Sequence, residues 1–319
     1  MKNILITGGA GFIGSNLANF LIKKKFNITI VDNLSIGKRK NIKNKKIIFV
    51  NKDILDINRI KFKKKFHSVV HLAAKAEILI PKKKEDVYYE SNISGLQSVL
   101  NFTANHGIKK FIFASSASVY GDTENKKVSE SFKLNPQHFY AYTKYIGEKM
   151  VRSYCSANNI NFTILRFFNV YGSNSNAVVA KFIAQKIQNK KITIYGNGKQ
   201  KRDFVHVDDL SGAVHKIINS KSQNDIFNIG AGKAESILNL KNIISHKRDH
   251  IFLEKRNDDI EISISNINKI KKRLFWKPKI SFKNGVKEIE KLDKIRLSKF
   301  NLPSVKQQQK LIKKFNKKK

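Results

Sequence analysis

The sequence predicts an α/β fold, a doubly wound parallel sheet with a smaller C-terminal α/β lobe, and three observations carry that expectation. Apolar, β-branched runs alternate with helical patterns through the first half of the chain, as parallel strands joined by crossover helices require. The first run, Ile4-Leu5-Ile6, passes directly into a turn with glycines at 8, 9, 11 and 14, and a helical pattern begins at Phe12. Asp32 ends the next run, Ile28-Thr29-Ile30-Val31. Gly9, Gly11 and Gly14 fit G-x-G-x-x-G in its strand-turn-helix context, which allows a tight turn, close backbone approach to a pyrophosphate and an anion at the helix N-terminus. A carboxylate at the end of the second strand can take both hydroxyls of an adenosine ribose. The Rossmann-type site so predicted uses Gly8, Gly11, Phe12, Ile13 and Gly14 at the turn and Asp32 and Asn33 beside it. Asp32 favours NAD over NADP, because Lys38 and Arg39 lie six and seven residues further on, too far to be assumed as partners for a 2′-phosphate.

Strands are expected at residues 3–7, 27–32, 47–51, 68–72, 110–114 and 161–167, where the β-branched and aromatic runs fall. Helical patterns fit residues 12–25, 92–105 and 140–157. A further strand is expected over 190–195, closed by the turn signal Gly196-Asn197-Gly198. Residues 203–207 and 210–218 then read as a strand-helix unit returning to the sheet. These assignments divide the chain into a dinucleotide-binding domain over 1–172, with 204–230 returning to it, and a substrate-binding lobe from 173–203 and 231–297. Residues 298–319, rich in lysine and glutamine, read as a frayed or disordered basic tail.

Composition narrows the class further. A chain of 319 residues with 41% hydrophobic content can bury a sizeable core. Met1-Lys2 leads straight into the first strand, so no signal peptide is expected, and no apolar run is long enough to span a bilayer. Cys155 is the only cysteine, which excludes a disulfide framework and suits a reducing cytoplasm. No metal site is expected. His67 and His71 flank a strand-like segment, His246 and His250 lie in a polar stretch, and both pairs read as structural or surface residues.

The formal charge of +39 raises nucleic-acid binding as a hypothesis. Only nine of the 63 basic residues are arginine, and the lysines are spread along the whole chain instead of lining one stripe. No nucleic-acid motif accompanies them. The charge therefore reads as background composition, with attraction to anionic membranes or sugar nucleotides ahead of any specific nucleic-acid partner.

Tyr140 and Lys144 lie four apart in a helical pattern, hence on one face. A tyrosine titrates near pH ~10 unperturbed, so it needs help to act as a base at neutral pH. A nearby ammonium and the positive nicotinamide ring both favour the phenolate. Upstream, Phe113-Ala114-Ser115-Ser116-Ala117-Ser118 puts hydroxyls at the C-terminal end of a strand, where ligands sit in open α/β sheets. Y-x-x-x-K alone is a weak signal in so lysine-rich a chain. After a dinucleotide fingerprint and a strand-end serine cluster it becomes a strong one. Ser115 and Ser118 read equally as caps for backbone groups, Tyr142 reads as packing, and Arg166 as a structural ion-pair residue before a substrate ligand.

At this point the chain resembles an extended short-chain dehydrogenase/reductase of the NAD-dependent sugar-nucleotide epimerase/dehydratase family, from residue 3 to about residue 290. His71-Leu72-Ala73-Ala74 resembles the family's segment beside the cofactor, Asp53-Ile54 its adenine-contacting pair, and Asn92 the asparagine opening the helix before strand five. Arg166-Phe167-Phe168-Asn169-Val170-Tyr171-Gly172 resembles the loop whose asparagine, here Asn169, binds substrate. Arg202-Asp203-Phe204-Val205-His206-Val207-Asp208-Asp209 resembles the segment whose arginine, here Arg202, pairs with nucleotide phosphate. Leu274-Phe275-Trp276-Lys277-Pro278 resembles L-G-W-x-P with Phe275 in place of glycine, and Arg256-Asn257-Asp258-Asp259 resembles R-x-G-D with Asp258 in place of glycine.

The resemblance implies NAD as cofactor, a nucleotide sugar as substrate and a homodimer. It also implies roles: Tyr140 as base, Lys144 on the nicotinamide ribose, and Ser116 on the reacting oxygen with Ser118 assisting. Family dehydratases carry an Asp-Glu pair after the active-site hydroxyl, and decarboxylases a glutamate two residues on; here Ala117 and Ser118 follow Ser116. That points to 4-epimerisation through a 4-keto sugar. In the resembling 4-epimerases the residue seven places after the R-x-G-D arginine abuts the sugar C2 substituent; here it is Ser263, small enough for an N-acetyl group. The other readings are a uronate epimerase, dehydratase or reductase of the same family, a non-catalytic NAD-binding protein, and a charge-driven surface binder.

Overall fold

The apolar run that opens the chain forms β1 (Asn3–Thr7), with Ile4, Leu5 and Ile6 fully buried. Burial on both faces marks an inner strand of a covered parallel sheet. The computed structural model describes residues 1–77, 85–221, 224–245, 249–257 and 259–316. After β1 come α1 (Phe12–Lys23), β2 (Asn27–Asp32), β3 (Ile48–Asn51) and β4 (Ser68–His71). Next, α2 (Glu85–Tyr89), a π turn at Glu90–Ser94 and α3 (Gly95–Asn105) lead to β5 (Lys110–Ser116), and β6 (Lys127–Val128) precedes α4 (Phe139–Ala157) and β7 (Asn161–Phe167). The second half runs through β8 (Asn169–Tyr171), α5 (Val178–Ile187), β9 (Ile192–Tyr195), β10 (Lys201–Arg202), β11 (Phe204–His206), α6 (Val207–Asn219) and β12 (Asp225–Ile229). It ends with β13 (Glu235–Ser236), α7 (Ile237–Ile244), β14 (His250–Leu253), β15 (Ile262–Ser265), α8 (Asn268–Leu274), α9 (Phe282–Leu292), α10 (Lys294–Ser298) and α11 (Val305–Asn316).

Seven parallel strands form the main sheet in the order β12-β7-β5-β4-β1-β2-β3. The chain moves outward from β1 on one side and from β4 on the other, so the order reverses between these two neighbours. A crevice forms at the carboxyl ends of strands at such a switch point. One face of the sheet is buried by α1 and α6, where Leu17, Leu21, Leu210, Val214 and Ile217 meet Ile4, Ile6, Ile28 and Ile30. The other is buried by α3 and α4, where Leu96, Leu100, Val151 and Cys155 meet Leu5, Phe111, Phe113 and Ile164. A third core, around Phe182, Ile183, Ile194, Leu240 and Ile289, belongs to α5, β9, α7 and α9. No helix among the described residues is long and apolar enough to cross a membrane.

Three expectations need correction. The strand expected at 203–207 does not enter the main sheet; β11 pairs with β8, and only α6 and β12 return. Asp203 turns the chain aside there, its fully buried carboxylate accepting the backbone N–H groups of Ala231, Gly232 and Ser265. The helix expected from Asn92 begins earlier, and Asn92 lies inside the π turn that joins α2 to α3. The basic tail is not frayed over 305–316. Ile312 and Gln308, four apart on α11, are buried, Tyr195 Oη donates to Gln308 Oε1 at 2.9 Å, and Asn316 donates to Glu254 and Lys255. Two inward residues one turn apart decided the matter against the surrounding lysines. Lys317, Lys318 and Lys319 lie outside the described residues, as do His246 and Asp258.

Phe275, where the resembling signature has glycine, explains why glycine suits the position. It closes α8 in the left-handed region (φ +47°), with its ring 84% exposed. The following Trp276 is buried and donates Nε1–H to Asp209 O at 3.1 Å, so the turn cannot relax. A left-handed non-glycine residue costs roughly 1–2 kcal/mol, against about 0.5–1 kcal/mol for the extra chain entropy of glycine. Phe275→Gly should therefore stabilise the fold by about 0.5–1 kcal/mol, read as a higher urea midpoint. A midpoint at or below that of the parent chain would contradict this.

Candidate active site

The turn after β1 is built by contact. Gly8 has φ +70°, and a Cβ there would lie 2.6 Å from Ala73 N, so the turn rests directly on the loop after β4. A Cβ at Gly14 would collide with Gly8 O, which is how closely α1 approaches the strand it follows. Gly11 caps α1 with no side-chain acceptor, and the first turn carries no acidic residue. An N-terminus left in this way attracts an anion. At the end of β2, Asp32 is buried and already takes two backbone donors, Ala10 N–H at 2.9 Å and Leu34 N–H at 2.8 Å. Its position is thereby rigid, and each carboxylate oxygen keeps a second lone pair for a ligand. Asn33 donates to Asp53 Oδ2 at 2.5 Å, and Asp53 caps the 3-10 turn that begins at Ile54.

These residues line a cleft of about 1130 Å³ at the switch point, together with Gly8, Gly11, Phe12, Ile13, Gly14, Leu72, Ala73 and Ala74. The cleft continues past Ala114, Ser115, Ser116, Tyr140 and Lys144 to Asn169. An uncapped helix end, a fixed carboxylate and a long trough fit an extended dinucleotide. Lys38 and Lys40 also stand on its wall, while Arg39 turns away to lie 4.8 Å over the Phe49 ring.

The chemical end is arranged by α4 against the end of β5. Lys144 Nζ donates to Ala114 O at 2.7 Å and sits 5.9 Å from the centre of the Tyr140 ring and 5.0 Å from that of Phe113. The Ser116 hydroxyl stands beside that of Tyr140. Ser118 donates to Ser116 Oγ from both its hydroxyl, at 2.9 Å, and its backbone N–H. Burial pushes the Tyr140 hydroxyl up to about 12, with the Ser116 hydroxyl pulling the other way. Burial pushes Lys144 down to about 8, opposed by the charge of Glu148. Desolvation is thus the larger effect on Tyr140 in the chain without cofactor, and the ammonium beside it is only part of the help expected from the sequence. Beneath them His71, against Thr7 Oγ1 at 2.8 Å, is held at about 3 by burial and then by Lys144, and is therefore neutral.

Other expected residues stand elsewhere. Asn92 does not line the cleft: its amide accepts Lys75 N–H and donates to Lys75 O and Thr143 Oγ1, bracing the loop after β4 to α4. Ser118, Arg202, Arg256 and Ser263 are not on the cleft wall. Arg202 forms an ion pair with Asp259 and lies opposite Ser263 where β10 pairs β15. Arg256 sits near Lys181 and Tyr195, both of which feel its charge. Arg166 is buried in an ion pair with Glu148, Nη2 to Oε2 at 2.7 Å, and Tyr142, read as packing, is half exposed. Sequence reasoning passed over Glu148, although it continues the four-residue spacing of Tyr140 and Lys144. It also passed over Lys75 and Ser35, hydrogen-bonded to each other at 3.0 Å on the cleft wall.

Known proteins share this fold. The sequence matches the NAD dependent epimerase/dehydratase family over residues 4–230. It is 36% identical over 301 residues to a candidate UDP-glucose 4-epimerase of Methanocaldococcus jannaschii, covering 90% of this chain and 96% of the relative. The fold is similar to that of UDP-glucose 4-epimerase from Thermotoga maritima solved with UDP-glucose, with a TM-score of 0.87, 32% identity and coverage of 93% of this chain and 100% of that one. It is also similar to UDP-N-acetylglucosamine 4-epimerase from Methanobrevibacter ruminantium in complex with UDP-N-acetylmuramic acid, with a TM-score of 0.86, 32% identity and coverage of 92% and 99%. Those matches, on the Rossmann-type sheet and cleft just described, establish that this chain belongs to the NAD dependent epimerase/dehydratase family and uses NAD as its cofactor.

Proposed function

We propose that this chain is a nucleotide-sugar 4-epimerase acting on UDP-hexoses. The observation that carries the reading is the composition of the cleft's chemical end: Ser116, Tyr140 and Lys144 converge there, and no carboxylate follows Ser116 at positions 117 or 118. Water elimination needs an additional acid and base; moving a hydride off C4 and back needs only a proton carrier and a cofactor. Bound NAD supplies the hydride acceptor and later the donor. Tyr140 takes the proton of the C4 hydroxyl and returns it after the sugar has turned over. Ser116, beside Tyr140 at the end of β5, holds the reacting oxygen. Lys144 orients the nicotinamide ribose and adds positive charge beside the phenol. With Tyr140 near 12 in the free chain, the base is silent until a cofactor cation joins Lys144 beside it.

Asn169 is the cleft residue proposed for the substrate; Arg202, for its phosphate, and Arg256 and Ser263, for the rest of it, are proposed on the family resemblance although they do not line this cleft. A homodimer is proposed as well. Tyr142 and Ile146, four apart on α4, are 50% and 42% exposed, and Val87 and Tyr89 on α2 are 44% and 57% exposed. Exposed apolar side chains on packed neighbouring helices suit a helical interface between two copies.

A panel of UDP-, dTDP-, GDP- and CDP-sugars incubated without added reductant tests the activity; interconversion of C4 epimers is expected for UDP-hexoses, and none with any sugar overturns the reading. Tyr140→Phe should retain NAD and lose ~10²–10⁴-fold in turnover, measured as kcat on the UDP-hexose pair. Turnover near that of the parent enzyme would mean that another group is the base. The sugar pocket is tested separately. With serine at 263 the enzyme should also interconvert UDP-N-acetylglucosamine and UDP-N-acetylgalactosamine, and Ser263→Tyr should abolish that while sparing the plain hexoses. Equal effects on both pairs would remove Ser263 from the pocket.

A further inference from the structure

Three turns of one helix face hold the end of one strand. Tyr140 stands beside Ser116, Lys144 Nζ donates to Ala114 O, and one turn further Glu148 Oε1 accepts Ser115 Oγ at 2.5 Å. Glu148 is only 3% exposed and is gripped from the far side by Arg166, Nε to Oε1 at 2.9 Å and Nη2 to Oε2 at 2.7 Å. Arg166 is itself fixed, its Nη1 donating to Tyr120 Oη at 3.0 Å and to Glu130 O at 2.9 Å, while Tyr120 donates to Asn228 at 2.7 Å. The carboxylate thus spans α4, β5 and β7 at one point.

Stability does not explain such a group. Desolvating both partners of a buried ion pair costs about as much as their attraction returns, and apolar replacements are often as stable. What the carboxylate does offer is a charge beside Lys144. The Lys144 ammonium is 5% exposed, lies against the Phe113 and Tyr140 rings, and has a neutral carbonyl as its hydrogen-bond acceptor. The titratable groups around it are Tyr140 and Glu148 on its own helix, neutral His71 from β4, and Arg166 from β7, which stands behind Glu148.

We infer that Glu148 is a positioning residue for the reaction: through Ser115 it sets the register of α4 on the strand end that carries Ser116, and it is the counter-charge that keeps Lys144 an ammonium beside Tyr140. The role rests on the 4-epimerase reading for its use in catalysis; its effect on Lys144, from a carboxylate one helical turn away, stands without that reading. Lys144 must stay protonated to favour the Tyr140 anion, so turnover falls as pH rises through the Lys144 midpoint. Removing the negative charge moves that midpoint, and the alkaline limb of kcat with it, to lower pH.

Two variants of the full chain test this. Glu148→Gln keeps the shape and loses the charge; Glu148→Gln/Arg166→Met also removes the cation that would otherwise be left buried, and so guards against a variant that fails to fold. The readouts are the ε-carbon NMR resonance of Lys144, assigned by its loss in Lys144→Met, and the pH profile of kcat. In Glu148→Gln the Lys144 midpoint should fall by about one pH unit or more, with the alkaline limb following it; in the double variant it should fall by less, because the Arg166 cation leaves with the carboxylate. An unchanged midpoint, with activity lost only in step with thermal stability, overturns the inference. If the parent enzyme epimerises no sugar, the proposed function fails while the NMR titration still decides the role of Glu148.

Discussion

The grip of α4 on the end of β5 is the constraint on which the site depends. The C-terminal half of α4 is anchored by apolar packing, Val151 and Cys155 lying in the same core as Phe111, Phe113 and Ile164. Its N-terminal half then carries Tyr140, Lys144 and Glu148 to the carboxyl end of the sheet, where the strand order has already opened a cleft. Sheet topology places the trough, but the register of this one helix decides which side chains face it. A rotation by one residue would turn the three away by about 100°, since an α-helix has about 3.6 residues per turn.

Burial governs the chemistry of that face. It raises Tyr140 to about 12 and lowers Lys144 to about 8, opposite shifts from one cause, because each loses the solvation of its charged form. A site set up in this way resists ionisation until charge is brought to it. In the proposed reaction the positive ring of a bound cofactor would add the charge that favours the Tyr140 anion. Glu148 and Arg166 form the fixed part of the field there, and neutral His71 adds no competing cation below.

Much of the sheet was legible because inner parallel strands are continuous apolar runs and leave a signal in any window. The bounds of β1, β2 and β7 coincide with the runs that announced them. The glycine turn and Asp32 were legible for a related reason: close backbone approach and a strand-end carboxylate are local demands. What could not be read locally were contacts made across the fold. Asn92 is committed to the loop at Lys75, Arg202 to Asp259, and the strand at 204–206 to β8, all partners distant in sequence. Glu148 was concealed by its type, since a glutamate on a helix is usually solvated, and only Arg166 and Ser115 reveal that it is buried. The lysine-rich end misled in the opposite sense, its charge count masking Gln308 and Ile312, which face the fold.

In the proposed reaction a hydride leaves C4 and returns to the same carbon from the same cofactor. UDP-galactose carrying deuterium at C4, incubated with the enzyme without added reductant in ordinary water, tests it most directly. The UDP-glucose formed should retain the deuterium at C4, with none lost to solvent. Washout of the label, or its appearance elsewhere on the sugar, would contradict the mechanism built on Tyr140, Ser116 and Lys144.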